Sequence, residues 1–242
     1  LGISECPPYL VDGPYYDLQA SLHAFRELHN YGVVSVTSHG DAYFGQLSDE
    51  VKEGYGWRHK NNQEVIWTGE TVNCAHLFQG AQTCSSTNPC PSGSQCVITE
   101  SNGSAGSITG ICVDLKQIDL KRGRVVMGVD RYGILPGHVE RYRQKGYPNS
   151  LVYLGSCRSI WNGTMAMEFF AAGAKAVLGY SGYVSNEFAY EQGAQLFAGM
   201  VEQEKLTGDA LPPSIEDPAN PGTKLRLIGA NNLNIYDSNI IN

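Results

Sequence analysis

One histidine and one cysteine stand at equivalent positions in the pattern of strands that the sequence predicts. His39 follows the β-branched strand Val33–Thr37, and Cys157 follows an apolar run over residues 150–156. Open α/β sheets place their functional crevice just beyond the carboxyl ends of such strands. A free thiol, with a pKa near about 8.5, needs a neighbouring base or cation to act as a nucleophile at neutral pH. The pattern therefore predicts a His39–Cys157 pair for nucleophilic catalysis.

The residues around this pair favour the same chemistry. Gly40 has no Cβ, so its backbone can approach a substrate closely. Cys157 is expected at a junction between a strand and a helix. The N-terminus of that helix would lower the pKa of the thiol and direct backbone N–H groups at a substrate.

Each residue also has a structural interpretation. A single cysteine after a strand is more often a small buried side chain, and a histidine there more often a structural hydrogen-bonding group. The presence of both at equivalent positions favours catalysis. His76 and His138 are alternative bases, but His138 does not follow an apolar strand. We therefore prefer His39 as the base.

The order of these residues along the chain separates families of nucleophilic enzymes. All histidines precede Cys157, whereas α/β-hydrolases and papain-like proteases need a histidine after the nucleophile. Caspase-like enzymes place the histidine first. Their usual spacing is about 50 residues, and a cysteine-rich segment accounts for most of the longer spacing here.

Strands alternating with helices predict a mostly parallel sheet with helices on both faces. Besides the two strands already given, a strand is predicted near Glu64–Trp67 and others over 124–129, 174–180, KLRLIG and NLNIY. Helices are predicted over residues 17–30, with Asp17 as N-cap, from Pro136 to about 145, over 161–173 and over 185–205.

The segment 73–115 is rich in cysteine and in Ser, Gly, Asn, Thr and Pro, so it cannot bury a core of its own and is expected to be held by disulfides. Zinc is the alternative, but this segment has neither a C-x-x-C pair nor an H-x₃₋₅-H pair. We expect no metal site. Cys157 is the unpaired cysteine, and the six predicted half-cystines, with 15 connectivities left open, are Cys6, Cys74, Cys84, Cys90, Cys96 and Cys112.

Composition limits the environment and the partners. The net charge of −7 argues against a nucleic-acid partner, which requires clustered Lys and Arg. We expect no membrane span, because no apolar run approaches the length of about 20 residues that one needs. The low charged fraction of 17% and the expected disulfides suggest a secreted, periplasmic or cell-surface protein. A start at Leu1 suggests a processed chain or an excised domain, with other segments of a larger precursor as partners.

Four blocks in order resemble clan CD, the caspase-like cysteine peptidases, and in particular gingipain-like and CHAT-type domains. The last block carries Gly229-Ala230-Asn231 where gingipain-like peptidases usually have Gly-Asp-Pro. The resemblance covers residues 17–45 and 124–236. The blocks are VVSVTSHGD, SLVYLGSCRS, WNGTMAMEFFAAGAKAVLGYSGYVSNEFAYEQGAQLFAGMVEQEKLTGDAL and KLRLIGANNLNI.

The resemblance implies a caspase-haemoglobinase fold over residues 1–242, with 73–115 as an insertion. It implies an endopeptidase in which Cys157 attacks a peptide carbonyl, His39 protonates the leaving amine, and the N–H groups of Gly40 and Cys157 form the oxyanion hole. A protein or peptide would be the substrate, without a cofactor. The alternative is a non-catalytic extracellular binding or structural module that keeps this fold.

The resemblance leaves the cleavage specificity open. Several Arg-cleaving relatives carry an acidic residue two places before the nucleophile, where this chain has Gly155. The caspase pattern Gln-Ala-Cys-Arg-Gly is met only at Cys157-Arg158. The substrate pocket is expected to involve Asp41, Gly155, Ser181 and Glu187, although Asp41 and Glu187 also fit exposed surface carboxylates.

Overall fold

A computed structural model describes residues 12–43, 63–73, 82–85, 87–101, 108–143, 146–147 and 149–237. The strands are β1 Val33–Thr37, β2 Gly40–Tyr43, β3 Gln63–Thr71, β4 Thr83–Ser85, β5 Ser94–Ser101, β6 Ile108–Asp114, β7 Val125–Met127, β8 Arg131–Ile134, β9 Leu151–Gly155, β10 Ala176–Tyr180 and β11 Leu225–Gly229. The helices are α1 Leu22–Arg26, α2 Leu115–Lys121, α3 Pro136–Tyr142, α4 Thr164–Ala171, α5 Asn186–Val201 and α6 Thr207–Ala210, with 3₁₀ turns at Asp17–Gln19, Leu28–Asn30 and Ile235–Asp237.

The first sheet has the strand order β1-β9-β10-β11. Its first three strands are parallel, and β11 runs antiparallel to β10. Thr37 pairs with Gly155, so β1 and β9 end at the same level. Strands β9 and β10 are buried along their whole length, as their continuous apolar sequences require. The predicted α/β class with a mostly parallel sheet is confirmed.

Helices cover both faces of this sheet, as predicted. Side chains of β9 alternate between the faces: Val152 and Leu154 join the core cluster that contains residues of α1, α3 and α4, whereas Leu151 and Tyr153 join the cluster that contains residues of α5. Burying each large apolar side chain contributes about 1.5–3 kcal/mol. The two clusters fix β9 in the middle of the domain.

A second sheet has the strand order β2-β3-β8-β7. Its strand β2 follows β1 of the first sheet directly along the chain. The chain leaves β1 at Ser38 and enters β2 at Gly40. Ser38 Oγ donates a hydrogen bond to the Trp67 carbonyl, and the Trp67 N–H donates to the His39 carbonyl at 2.9 Å. The pair His39–Gly40 therefore lies where the chain crosses between the two sheets.

The cysteine-rich segment forms a small antiparallel sheet with the order β4-β6-β5. Two disulfides hold it, Cys84–Cys96 and Cys90–Cys112, which confirms those four predicted half-cystines. The Sγ atoms of Cys84, Cys90 and Cys96 lie within 4.8 Å of one another, but all three belong to disulfides and are not metal ligands. The remaining two predicted half-cystines, Cys6 and Cys74, lie outside the described residues.

Three predicted elements differ from the structure. The helix expected over residues 17–30 is divided, because Ser21 accepts a hydrogen bond from Ala24 N and caps α1, in place of the predicted cap Asp17. The NLNIY segment forms a 3₁₀ turn rather than a strand, since the Asn234 side chain accepts from Tyr236 N. The helix expected to begin at 161 begins at Thr164.

A buried charge cluster joins α1, α2 and α3. Asp119 accepts a hydrogen bond from the Tyr142 hydroxyl at 2.7 Å and forms ion pairs with Arg26 at 3.2 Å and Arg124 at 3.3 Å. His138 is buried against this cluster, with its ring centroid 4.7 Å from that of Tyr142. Neither of its ring nitrogens has a hydrogen-bond partner among the described residues.

Acidification is expected to destabilise the protein through His138. Burial, reinforced by Arg26 and Arg124, lowers the pKa of His138 from 6.5 to about 3. Below pH 6.5 the unfolded chain thus binds a proton that the folded chain does not, and the free energy of unfolding falls towards pH 3. At pH 5 the loss is about 2 kcal/mol. Urea unfolding from pH 7.5 to 4 should show this slope lost in His138→Leu but kept in the exposed control His23→Leu; an unchanged slope in His138→Leu would contradict this account.

Candidate functional site

Three chain segments meet at the carboxyl ends of the parallel strands. They are His39–Asp41 after β1, Ser156–Arg158 after β9, and Ser181–Val184 after β10. The Arg158 N–H donates to the Gly182 carbonyl at 2.8 Å and joins the second segment to the third. This is the edge of the sheet at which the sequence predicts the functional crevice.

Gly40 packs directly against the segment that carries Cys157. A Cβ at Gly40 would lie 2.5 Å from the Cys157 carbonyl oxygen and 3.1 Å from Ser156 Oγ, closer than real Cβ atoms approach a backbone oxygen. A residue with a side chain could not pack this closely, so glycine is required at position 40. The close approach brings the first segment, with His39, to Cys157.

The strand register relates His39 to Cys157. Thr37 and Gly155 are paired, and Thr37 Oγ1 lies 3.0 Å from the position of a Gly155 Cβ, so both face the same side of the sheet. His39 and Cys157 each come two residues after this paired level, just beyond the ends of β1 and β9. His39 is exposed and Cys157 is half-buried.

The Cys157 thiol is free and is held by backbone groups of Val184. Sγ donates to the Val184 carbonyl and accepts from the Val184 N–H, both at 3.4 Å. The side chain also packs against the apolar cluster that contains α5. Among the described residues, no hydrogen bond joins the His39 imidazole to Sγ.

Two backbone N–H groups of these segments donate no hydrogen bond to another described residue. Because Trp67 N bonds to the His39 carbonyl, the facing residues Gly40 and Ile66 form a non-hydrogen-bonded pair, so the Gly40 N–H points away from β3. The Cys157 N–H likewise donates no hydrogen bond to another described residue. The two groups are available to an anionic or carbonyl oxygen.

The expected helix N-terminus at Cys157 is wrong. Helix α4 begins only at Thr164, and Glu64 of β3 already occupies its N-terminus. Glu64 Oε1 accepts from Asn162 N at 2.9 Å and Gly163 N at 2.7 Å. Its Oε2 accepts from Met165 N at 3.0 Å and from the Thr164 hydroxyl. The field of this helix end acts on Glu64 rather than on the thiol.

Asp41, predicted near the substrate pocket, accepts hydrogen bonds from other residues of the site. Its Oδ1 accepts from Arg158 Nη1 at 3.1 Å, from Ala42 N at 2.7 Å and from the Tyr183 hydroxyl at 3.4 Å. The Arg158 guanidinium carbon lies 4.2 Å from the centroid of the Tyr183 ring and 6.0 Å from that of Trp161. Sequence reasoning noticed Arg158 only as part of a motif.

The other predicted pocket residues, Gly155, Ser181 and Glu187, differ from one another in how exposed they are. Gly155 is buried, and a side chain there would lie 2.8 Å from Cε1 of the Tyr153 ring. This position therefore has no room for an acidic residue unless Tyr153 moves. Ser181 is half-buried at the end of β10, close to the site segments, whereas Glu187 is exposed in the first turn of α5.

Asp217 is a supporting residue that the sequence reasoning missed. It accepts from Ser185 N at 2.6 Å and Asn220 Nδ2 at 2.8 Å, and so ties the loop after α6 to the N-cap of α5. Burial opposes ionisation, but hydrogen bonds from Asn220, Ser185 and Ala219 outweigh it and lower the pKa of the Asp217 carboxyl. An Asp-Pro pair followed by Asn and Gly is the signal of such a turn.

The alternative bases do not reach this site among the described residues. His138 is buried beside Tyr142, Arg26 and Arg124, and no contact joins it to Cys157 among the described residues. His76 lies outside the described residues.

No protein-family model, curated protein or solved structure matches this chain. Within the described ranges, no helix combines the length and the apolar character needed to cross a membrane.

Proposed function

We propose that this protein is a cysteine endopeptidase with a caspase-like fold, resembling gingipain-like and CHAT-type domains, and that His39 and Cys157 form its catalytic dyad. The observation that carries the proposal is the packing of Gly40 on the Cys157 carbonyl. It brings the segment with the exposed His39 to a free thiol at the carboxyl ends of parallel strands. The order of histidine before cysteine supports the same assignment.

In this mechanism, the Cys157 thiolate attacks the carbonyl carbon of a peptide bond and forms a C–S bond. The N–H groups of Gly40 and Cys157 hydrogen-bond the tetrahedral oxyanion. His39, as imidazolium, gives its proton to the amine nitrogen as the C–N bond breaks. Water, deprotonated by His39, then attacks the thioester, releasing the carboxylate product and the thiolate.

The proposed setting is outside the reducing cytosol. The two disulfides of the small sheet are consistent with an oxidising environment. A secreted, periplasmic or cell-surface peptidase that acts on protein or peptide substrates fits this requirement, and neither a cofactor nor a metal enters the mechanism.

Alkylation of the native, non-reduced protein tests the dyad. Iodoacetamide should give an adduct at Cys157, located by peptide mass spectrometry, and His39→Ala should slow its formation about tenfold or more at pH 7. His23→Ala, at an exposed position of α1, is the matched control and should react like the wild type. Equal labelling without His39 would refute the dyad.

Peptidase activity is the second readout. On an unstructured protein substrate, Cys157→Ala should lower the cleavage rate by about 10³-fold or more. Cleavage-site mapping by mass spectrometry would define the substrate preference. Full activity in Cys157→Ala would assign the cleavage to another site or to a contaminant.

The binding module without catalysis is favoured by one observation. The thiol is half-buried and bonded to both backbone groups of Val184, as a structural cysteine would be. In that case Cys157 in the native protein would resist iodoacetamide, and Cys157→Ala would leave any binding partner bound.

A further inference from the structure

The carboxyl ends of three parallel strands each contribute one member of a bonded cluster. Asp41 follows β1, Arg158 follows β9 and Tyr183 follows β10. We propose that these three residues form a clamp, called here the Asp41–Arg158–Tyr183 clamp, that holds the segments carrying His39 and Cys157 against each other. They are positioning residues, and the inference rests on the proposed function.

The clamp has its centre at one carboxylate oxygen. Asp41 Oδ1 accepts from Arg158 at 3.1 Å and from the Tyr183 hydroxyl at 3.4 Å, and the guanidinium carbon lies 4.2 Å from the Tyr183 ring centroid. Each member thus contacts both of the others. A displacement of one segment would break contacts to the other two.

The members are close to the dyad along the chain. Asp41 comes two residues after His39, and Arg158 comes directly after Cys157. Arg158 has a φ of 52°, a left-handed conformation that a residue with a side chain adopts where its surroundings enforce it. Here the hydrogen bond from its N–H to Gly182 and the clamp itself fix both ends of the residue.

The clamp fits a positioning role better than a stabilising one. The side chains of Asp41 and Arg158 are 41% and 25% exposed, and ion pairs with this exposure add little to the stability of a fold. Their loss should therefore leave the fold intact and change the site.

The clamp also changes the role of Asp41. A basic substrate side chain would have to compete with Arg158 for this carboxylate, so Asp41 is not free to bind such a side chain.

Several charged and titratable groups lie in and around the clamp. In the three segments and the adjoining first turn of α5 they are His39, Asp41, Cys157, Arg158, Tyr183 and the exposed Glu187.

The test compares the second-order rate of Cys157 alkylation from pH 5 to 9 in Asp41→Asn, Arg158→Gln and the double variant. Each single change should lower the rate at pH 7 about tenfold and alter the shape of its pH profile, because the segments that carry His39 and Cys157 are then no longer held together. The double variant should be no slower than the slower single variant, because either change opens the same clamp.

Three further measurements complete the design. Glu191→Gln removes an exposed carboxylate from α5 that has no role in the site and should leave the rate profile unchanged. Thermal unfolding of every variant should give a midpoint close to that of the wild type. Arg158→Lys keeps the charge but loses the planar stack on Tyr183, so it should recover only part of the rate.

The outcomes separate the clamp from the dyad. Unchanged pH profiles in both single variants, or losses that multiply in the double variant, would overturn the clamp. If His39→Ala slows alkylation while the clamp variants do not, only the clamp fails. If His39→Ala has no effect, the dyad is absent and the proposed function fails together with the clamp.

Discussion

Replacing Glu64 with alanine is expected to lower the free energy of unfolding by about 3–5 kcal/mol, a large part of the stability of a typical domain. Glu64 is completely buried and receives three backbone N–H groups and one hydroxyl at the start of α4. Alanine would leave the buried Met165 N–H and the part-buried N–H groups of Asn162 and Gly163 without this acceptor, whereas the Thr164 hydroxyl keeps a second acceptor in Asn162 Oδ1 at 3.1 Å. Each unsatisfied buried group costs about 1–3 kcal/mol, partly recovered where water enters.

Urea unfolding at pH 7 would measure this loss. Glu187→Ala is the matched control, because it makes the same replacement in the exposed first turn of α5 and should change stability by less than about 1 kcal/mol. Glu64→Gln keeps one acceptor oxygen but turns an NH₂ group towards donors, so an intermediate loss is expected. If Glu64→Ala unfolded like the control, the buried carboxylate would not be what fixes the start of α4.

Glu64 also connects the fold to the site. Its strand, β3, pairs with β2 through the facing residues Ala42–Glu64, Asp41–Val65 and Gly40–Ile66. The same strand thus fixes the first turn of α4 on one side and the segment after His39 on the other. We expect Glu64→Ala to slow alkylation of Cys157 as well, although no hydrogen bond joins Glu64 to the thiol among the described residues.

The central strands could be predicted because their sequences are apolar almost throughout. β1 has the predicted bounds Val33–Thr37, and β9 and β10 lie within the predicted runs 150–156 and 174–180. A strand buried on both faces needs such a sequence and few other elements tolerate it. The positions of His39 and Cys157 just beyond β1 and β9 followed from the same pattern.

Elements that depend on distant contacts could not be predicted. β2 has the sequence GDAY, in which Gly and Asp disfavour strands; its pairing with β3 defines it. The start of α4 depends on Glu64, about 100 residues earlier in the chain, and the local signal is limited to the Asn162 side chain, which accepts from Thr164 N at 3.2 Å. The contact of Arg158 with Asp41 likewise joins segments whose proximity only the folded chain creates.

Replacing Gly40 with alanine is expected to lower the reactivity of Cys157 at least about 100-fold. The new methyl group would lie 2.5 Å from the Cys157 carbonyl oxygen. A backbone oxygen cannot rotate away as a side chain can, so β2 or the segment after β9 must move. A displacement of about 1 Å in a catalytic arrangement can reduce a rate about 100-fold, and it would carry His39 and the Gly40 N–H away from the thiol together.

Alkylation kinetics and urea unfolding should be measured on the same variant, since overpacking also costs about 1–3 kcal/mol of stability. Gly93→Ala is the control: its backbone has a φ of 83° with no atom near the new methyl group, so it introduces strain in the small disulfide-linked sheet without touching the site. It should lose stability but keep the reactivity of Cys157.

A Gly40→Ala protein that folds and is alkylated at the wild-type rate would show that Gly40 does not hold the site together. The dyad would then need another origin for its geometry. Loss of reactivity in Gly40→Ala alone would tie the chemistry of Cys157 to the crossing point between the two sheets.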